Sequence, residues 1–125
     1  MPLDDGSVWY LTITRDRVDD VPVLALDGRL SNATATTLVD AIALPSPGGS
    51  RGVVIDFSQV DYVSSAGLGV LKAGAAALHD EGRELVVCCL RETIAPTFAL
   101  AGAIAHVTIE PSRERAVARL RRQVL

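Results

Sequence analysis

Two short apolar runs, "GVVIDF" at Gly52 to Phe57 and "ELVVCCL" at Glu84 to Leu90, constrain the fold more than any other part of the sequence. Neither alternates apolar with polar residues, so neither offers a face to water. Both are too short for a buried helix and read as strands covered on both sides. Strands of that kind belong to parallel sheets, and parallel neighbours need a crossover, usually a helix. The intervening segment supplies one. Leu68, Leu71, Ala75 and Leu78 lie at offsets of three, four and three, one face of a helix from Ala66 to Asp80. Gly82 is placed to end it.

The pattern extends in both directions. "VWYLTIT", Val8 to Thr14, and "VPVLALDG", Val21 to Gly28, read as strands of a hairpin across the polar stretch Arg15 to Asp20. Ser31 or Asn32 is placed to cap a helix from Ala33 to Leu44, with Leu38, Ala41 and Ile42 on its apolar side. "PSPGGS", Pro45 to Ser50, is a surface loop. Thr93 is placed to cap a helix from Ile94 to about Ala101, with Pro96 in its first turn and Gly102 beyond it. "HVTI", His106 to Ile109, is a last strand. Ser112 heads a terminal helix with the stripe Val117, Leu120 and Val124. The order β-β-α-β-α-β-α-β-α predicts an α/β fold: a small mixed, mostly parallel β-sheet of four to five strands with about four helices packed on it. Without repeats or an internal linker, residues 1–125 read as a single domain.

Charge and cysteine content narrow the function. The net charge is -3, and the one basic cluster, Arg113, Arg115, Arg119, Arg121 and Arg122, suits the solvated side of the last helix. Neither a nucleic-acid surface nor an anionic-membrane surface is expected. No stretch approaches the ~18 apolar residues of a membrane span, and "MPLDDGSVWY" lacks the apolar segment of a signal peptide. A cytoplasmic location is the expectation. Cys88 and Cys89 are expected as buried thiols on one strand, pointing to opposite faces. That leaves no disulfide framework and no cysteine-based metal site. No cofactor or metal is called for.

The polar spot in this apolar chain is "VDYVSSAGLGVLKAG", Val60 to Gly74. It joins a strand to a helix at the C-terminal edge of the sheet, where function collects in open α/β folds. Ser64 or Ser65 is placed to cap the helix. A cap does not account for Gly67 and Gly69, each costing ~1 kcal/mol against alanine in a helix. Either they let the helix pack closely on the sheet, or they leave backbone open to a visitor. A hydrolase would need Gly-x-Ser-x-Gly, and the frame around Ser65 starts on Val63. The only histidines are His79 and His106, and His79 lies ~21 Å along the helix from Ser65 at ~1.5 Å per residue. A phosphate cradle would need Gly-x-x-x-x-Gly-Lys-[Ser/Thr] or a third glycine after "GLG", and both are absent. Phosphorylation by a separate kinase fits better, because a helix N-terminus favours an added dianion.

Together, "LALDGRLSNATATTL", "GVVIDFSQVDYVSSAGLGVLKAG" and "ELVVCCLRETIAPTFALAGAIAHVTIEPS" resemble the STAS domain family, and within it the bacterial anti-sigma factor antagonists. The similarity runs from about Trp9 to Arg121. It implies a protein that is not an enzyme and that binds a serine-kinase anti-sigma factor, freeing a sigma factor. In that family the kinase phosphorylates a serine at the start of the second helix, which breaks the complex. Alignment on the Gly-Leu-Gly run puts that serine at Ser65. The resemblance implies a binding face of Ser31, Asn32, Ser64, Ser65, Gly67, Leu68 and Val70, on a monomer or weak dimer. Two positions depart from the family's usual pattern. Ser64 stands where an Asp commonly precedes the phosphoserine, and Ser31 where an Asp commonly follows Gly-x-Leu. The alternative within the family is a phosphorylation-independent binding subunit or scaffold of a transporter or sensory assembly.

Overall fold

The computed structural model describes residues 10–43, 51–100 and 106–121. Their elements follow the expected order: β1 (Leu11–Val18), β2 (Val21–Leu30), α1 (Ala35–Ala43), β3 (Gly52–Val63), α2 (Ser65–Asp80), β4 (Glu84–Cys88), α3 (Ala95–Leu100), β5 (Val107–Glu110) and α4 (Arg113–Leu120). The five strands form one sheet in the order β1-β2-β3-β4-β5. β1 is antiparallel to β2, and every later pairing is parallel. No helix among the described residues is long and apolar enough to cross a membrane.

The central strands are mostly apolar because both faces are covered. Leu24, Leu26, Leu30, Ile55, Phe57, Leu85 and Val87 pack with Leu38 of α1, Leu71, Ala75 and Leu78 of α2, and Phe98 of α3. Val21, Val23, Val54, Val86 and Cys88 point the other way and meet Ala116, Val117 and Leu120 of α4. Phe57 and Phe98 meet edge-on with ring centroids 5.6 Å apart. Gly52 has no room for a side chain, since a Cβ there would lie 1.9 Å from the Glu84 carbonyl oxygen of β4.

Helix ends follow their signals in part. Ser112 caps α4 by accepting from the Arg115 amide. Gly82, at φ +74, closes α2. The Arg83 amide returns to the Leu78 carbonyl and the Gly82 amide to the His79 carbonyl, the paired bonds of a Schellman turn. α1 and α3 begin differently from expectation. The Ser31 carbonyl, rather than its side chain, accepts from the Thr34 and Ala35 amides, and the Arg91 carbonyl does the same for Ile94 and Ala95. Thr93 therefore lies inside a turn, and each helix starts one to two residues late.

Strand limits also move. The polar stretch from Arg15 is strand as far as Val18, and the turn is only Asp19–Asp20. Both aspartates have positive φ, 52° and 65°, as a two-residue type I′ hairpin requires. Charged residues suit β1 because it is an edge strand. β2 passes Gly28 (φ +127) through an irregularity in the β2–β3 register, and β3 runs on to Val63 beside it. β4 stops at Cys88, because Cys89 turns to φ +64. Cys88 and Cys89 therefore do not point apart; their sulfurs are 3.3 Å from each other. Val8, Trp9, Leu44, the Pro45 to Ser50 loop, Ala101, Gly102, Arg122 and Val124 lie outside the described residues.

One buried carboxylate ties α4 to the sheet. Asp56 Oδ2 accepts from Arg113 Nε at 3.0 Å and Nη2 at 2.8 Å, and Oδ1 accepts from the Ser58 amide at 2.8 Å. Burial would raise its pKa, but the Ser58 amide and the Arg113 guanidinium outweigh it and hold the carboxyl below its usual value. Such a group adds stability above the unfolded carboxyl pKa of about 4, lost as pH falls through the lower folded value. Asp56→Asn is expected to cost about 2 kcal/mol at pH 7. That is below the 3–5 kcal/mol of a wholly buried pair, because Arg113 keeps one-third of its side chain in water. Urea unfolding at pH 7 and pH 3 checks this: the gap between variant and wild type should shrink at the lower pH.

Candidate partner-binding site

β2 and β3 run past β4 at their C-terminal ends, and the serine pair sits where they finish. The Ser64 amide donates to the Leu30 carbonyl at 2.8 Å, which locks the start of α2 onto the end of β2. Ser64 is extended (φ -89, ψ 171), and its side chain accepts from the Gly67 amide. It is therefore the N-cap, and Ser65 is the first helical residue. The Ser64 hydroxyl is half-buried and occupied, whereas Ser65 is exposed. Aspartate and serine are equally good N-caps, so Ser64 performs locally the capping an aspartate would.

The two glycines have different reasons. A Cβ on Gly67 would stand 2.7 Å from Leu30 Cγ and 3.0 Å from its carbonyl oxygen. Gly67 is buried and is required by helix-sheet packing. A Cβ on Gly69 would meet nothing within 4 Å. Gly69 is exposed and leaves bare backbone one turn beyond Ser65.

The neighbouring turn is held from inside. Ser31 is buried, at 4% exposure. Its amide donates to Thr34 Oγ1, which donates in turn to the Arg29 carbonyl at 2.7 Å. Asn32 is left exposed at the tip. Ser31, Asn32, Ala33, Tyr62 and Ser64 line a depression of about 290 Å³. Arg29 borders it, 3.6 Å from the Asp61 carboxylate and 5.8 Å over the Tyr62 ring. Tyr62 was not singled out in the sequence, yet it is 39% exposed on the end of β3. Its only sequence signal was the flanking Asp61 and the serines.

Leu68 is half-buried, one turn from Ser65 on the same side of α2. Val70 is displaced to another side. It lines an apolar groove of about 380 Å³ between α1 and α2, with Val39, Ile42, Ala73, Gly74 and Ala77. The structure thus gathers Asn32, Ser64, Ser65 and Leu68 near one edge, puts Ser31 and Gly67 beneath it, and sends Val70 to the groove. Neither histidine approaches Ser65. His79 is in the last turn of α2, and its ring stacks on that of His106 at 3.8 Å.

Comparison with known proteins agrees with this architecture. The family model described as "Mlab, STAS domain" matches residues 13–109. A Bordetella bronchiseptica protein carrying the name anti-sigma factor antagonist BtrV is 33% identical over 108 residues, covering 86% of this chain and 93% of that one. The crystal structure of an anti-sigma factor antagonist from Mycobacterium paratuberculosis superposes with a TM-score of 0.78 at 25% identity, covering 90% and 96% of the two chains. The phosphorylated form of the Bacillus cell fate determinant SpoIIAA shares the fold, with a TM-score of 0.63 at 15% identity over 86% and 98%. With most of its length matched by the family model, the chain belongs to the STAS domain family.

Proposed function

We propose that this protein is an anti-sigma factor antagonist that binds a serine-kinase anti-sigma factor and is switched off by phosphorylation of Ser65. It works as a cytoplasmic binding module, with no reaction of its own. The observation that carries the reading is the division of labour in the serine pair. Ser64 is spent on the cap, and Ser65 stands exposed on the first turn with a bare glycine one turn ahead. A kinase can reach such a hydroxyl without unfolding anything. Asn32, Ser64, Ser65 and Leu68 form the contact face, with Ser31 and Gly67 fixing its shape and Val70 on its flank. Support comes from the relative named as an anti-sigma factor antagonist.

The test is incubation with the anti-sigma kinase of the same host and ATP, followed by peptide mass spectrometry and a binding titration. Phosphate on Ser65, tight binding by the unmodified protein and at least tenfold weaker binding by Leu68→Glu are expected. Phosphate on Ser64, or undiminished binding by Leu68→Glu, would sink the assignment. A partner that binds equally with Ser65 phosphorylated would move the protein to the phosphorylation-independent class of STAS subunits.

A further inference from the structure

Cys88 ends β4, and Cys89 follows it with φ +64. Adjacent side chains on a continuing strand would point to opposite faces. The left-handed residue breaks that alternation at a cost in backbone strain, since cysteine has a Cβ and no means of offsetting it locally. The result is a pair of sulfurs 3.3 Å apart, with the Cys89 thiol donating to the Cys88 sulfur. Cys88 is fully buried, and Cys89 is half-buried at the surface end of the pair. Ligand atoms of Cys88, Cys89 and Asp56 all lie within 4.8 Å of one another.

We propose that Cys88 and Cys89 form a chelating dithiol for trivalent arsenicals. Two arguments select that class. The first is the bite. With metal–sulfur bonds of about 2.3 Å, a tetrahedral zinc ion holds its sulfurs about 3.8 Å apart. The observed 3.3 Å corresponds, at that bond length, to an angle of about 92°. Pyramidal trivalent arsenic, bonding through orbitals at nearly right angles, takes such an angle without opening the pair.

The second argument is charge. A zinc dithiolate requires both sulfurs deprotonated. Here the Cys88 sulfur is fully buried among apolar side chains, where a thiolate would be stripped of water. The third potential ligand, Asp56, is already committed to the Arg113 guanidinium. Condensation with an organic arsenic(III) oxide avoids both problems. The two S–H bonds and the arsenic–oxygen bonds break, two As–S bonds form, and one water leaves with both protons. No atom changes oxidation state, and the buried product is neutral. Arsenous acid would lose two waters in the same way and keep one hydroxyl on arsenic. Cys89 offers the entry sulfur, and Cys88 closes the ring.

The probe is phenylarsine oxide, one equivalent on the fully reduced protein, followed by a hundredfold excess of glutathione and intact-mass measurement. One phenylarsenic unit per chain, with both thiols consumed, is expected to survive glutathione and to leave on addition of 2,3-dimercaptopropanol. Cys89→Ser and Cys88→Ser, each with a single thiol, should retain at least tenfold less. Far-UV circular dichroism identifies a variant that fails to fold, and the half-buried Cys89→Ser then carries the comparison. Absence of the adduct, its loss to glutathione, or unchanged retention by Cys89→Ser would overturn the proposal. So would zinc binding that outcompetes the arsenical.

Discussion

A phosphoryl group on Ser65 is expected to weaken partner binding by more than a hundredfold while leaving the melting temperature within about 5 °C of the unmodified protein. The two effects separate because they act on different surroundings. Within the chain, the modified oxygen sits on the first residue of α2, at the positive end of the helix, where only the Gly67 amide is taken up by the Ser64 cap. The helix dipole there favours a dianion by ~0.3–1 kcal/mol, so the fold loses nothing. Across an interface the same dianion must shed water against a surface shaped for a neutral hydroxyl. That costs several kcal/mol, and each 1.4 kcal/mol is a decade of affinity. Ser65→Asp should reproduce part of the loss, and Ser65→Ala should bind whether or not ATP is present. Ser64→Ala gives the contrasting result. It removes a cap worth ~1 kcal/mol of stability and leaves the acceptor hydroxyl in place. Calorimetric titration and thermal melts of the unmodified protein, the phosphorylated form and the three variants separate these outcomes. A phosphorylated form that binds like the unmodified one would contradict the switch.

Gly52→Ala is expected to be strongly destabilising for the addition of a single methyl. Its Cβ would overlap the Glu84 carbonyl oxygen at 1.9 Å, with the carbonyl carbon and amide nitrogen of Glu84 inside 3 Å. These are backbone atoms of the paired strand, so no side-chain rotation relieves them. β3 and β4 must separate at their first paired residues, Gly52 and Glu84. Ordinary overpacking costs 1–3 kcal/mol, and a backbone collision inside a ladder belongs at or above the top of that range. A loss of about 3 kcal/mol lowers the melting temperature by roughly 10 °C or more in a domain of this size. Gly69→Ala is the matched control. It meets nothing within 4 Å and sits in a helix, where alanine is favoured by up to ~1 kcal/mol. A Gly52→Ala protein that melts with the wild type would refute the argument.

Periodicity made the order of elements legible, because apolar runs and helical spacing report burial directly. "GVVIDF" is buried on both faces, and Leu71, Ala75 and Leu78 are the inner side of α2. What stayed hidden depended on backbone conformation or on partners distant in sequence. Residues 59–63 interrupt the apolar run with Gln59 and Asp61, yet they are strand, because β2 extends beside them. The starts of α1 and α3 were misplaced since main-chain carbonyls of Ser31 and Arg91, which carry no residue signature, receive the first amides. Nothing in "CC" announces a left-handed Cys89. In the site, the serine pair was legible, and one hydrogen bond, from the Gly67 amide to Ser64, shows which of the two caps the helix. Tyr62 went unnoticed, because an exposed tyrosine near a strand end looks like any other surface residue.

The placement of α4 bears on the moment at which this sheet becomes covered during synthesis. Among the described residues, α4 alone packs on the cluster of Val21, Val23, Val54, Val86 and Cys88, and it follows all five strands in the chain. A nascent chain that has emerged only as far as β5 carries a finished sheet with one greasy side bare. Until the ribosome releases the segment from Arg113 to Leu120, that side is open to chaperones and to other unfinished chains. Protein quality control would therefore judge this domain by its last helix.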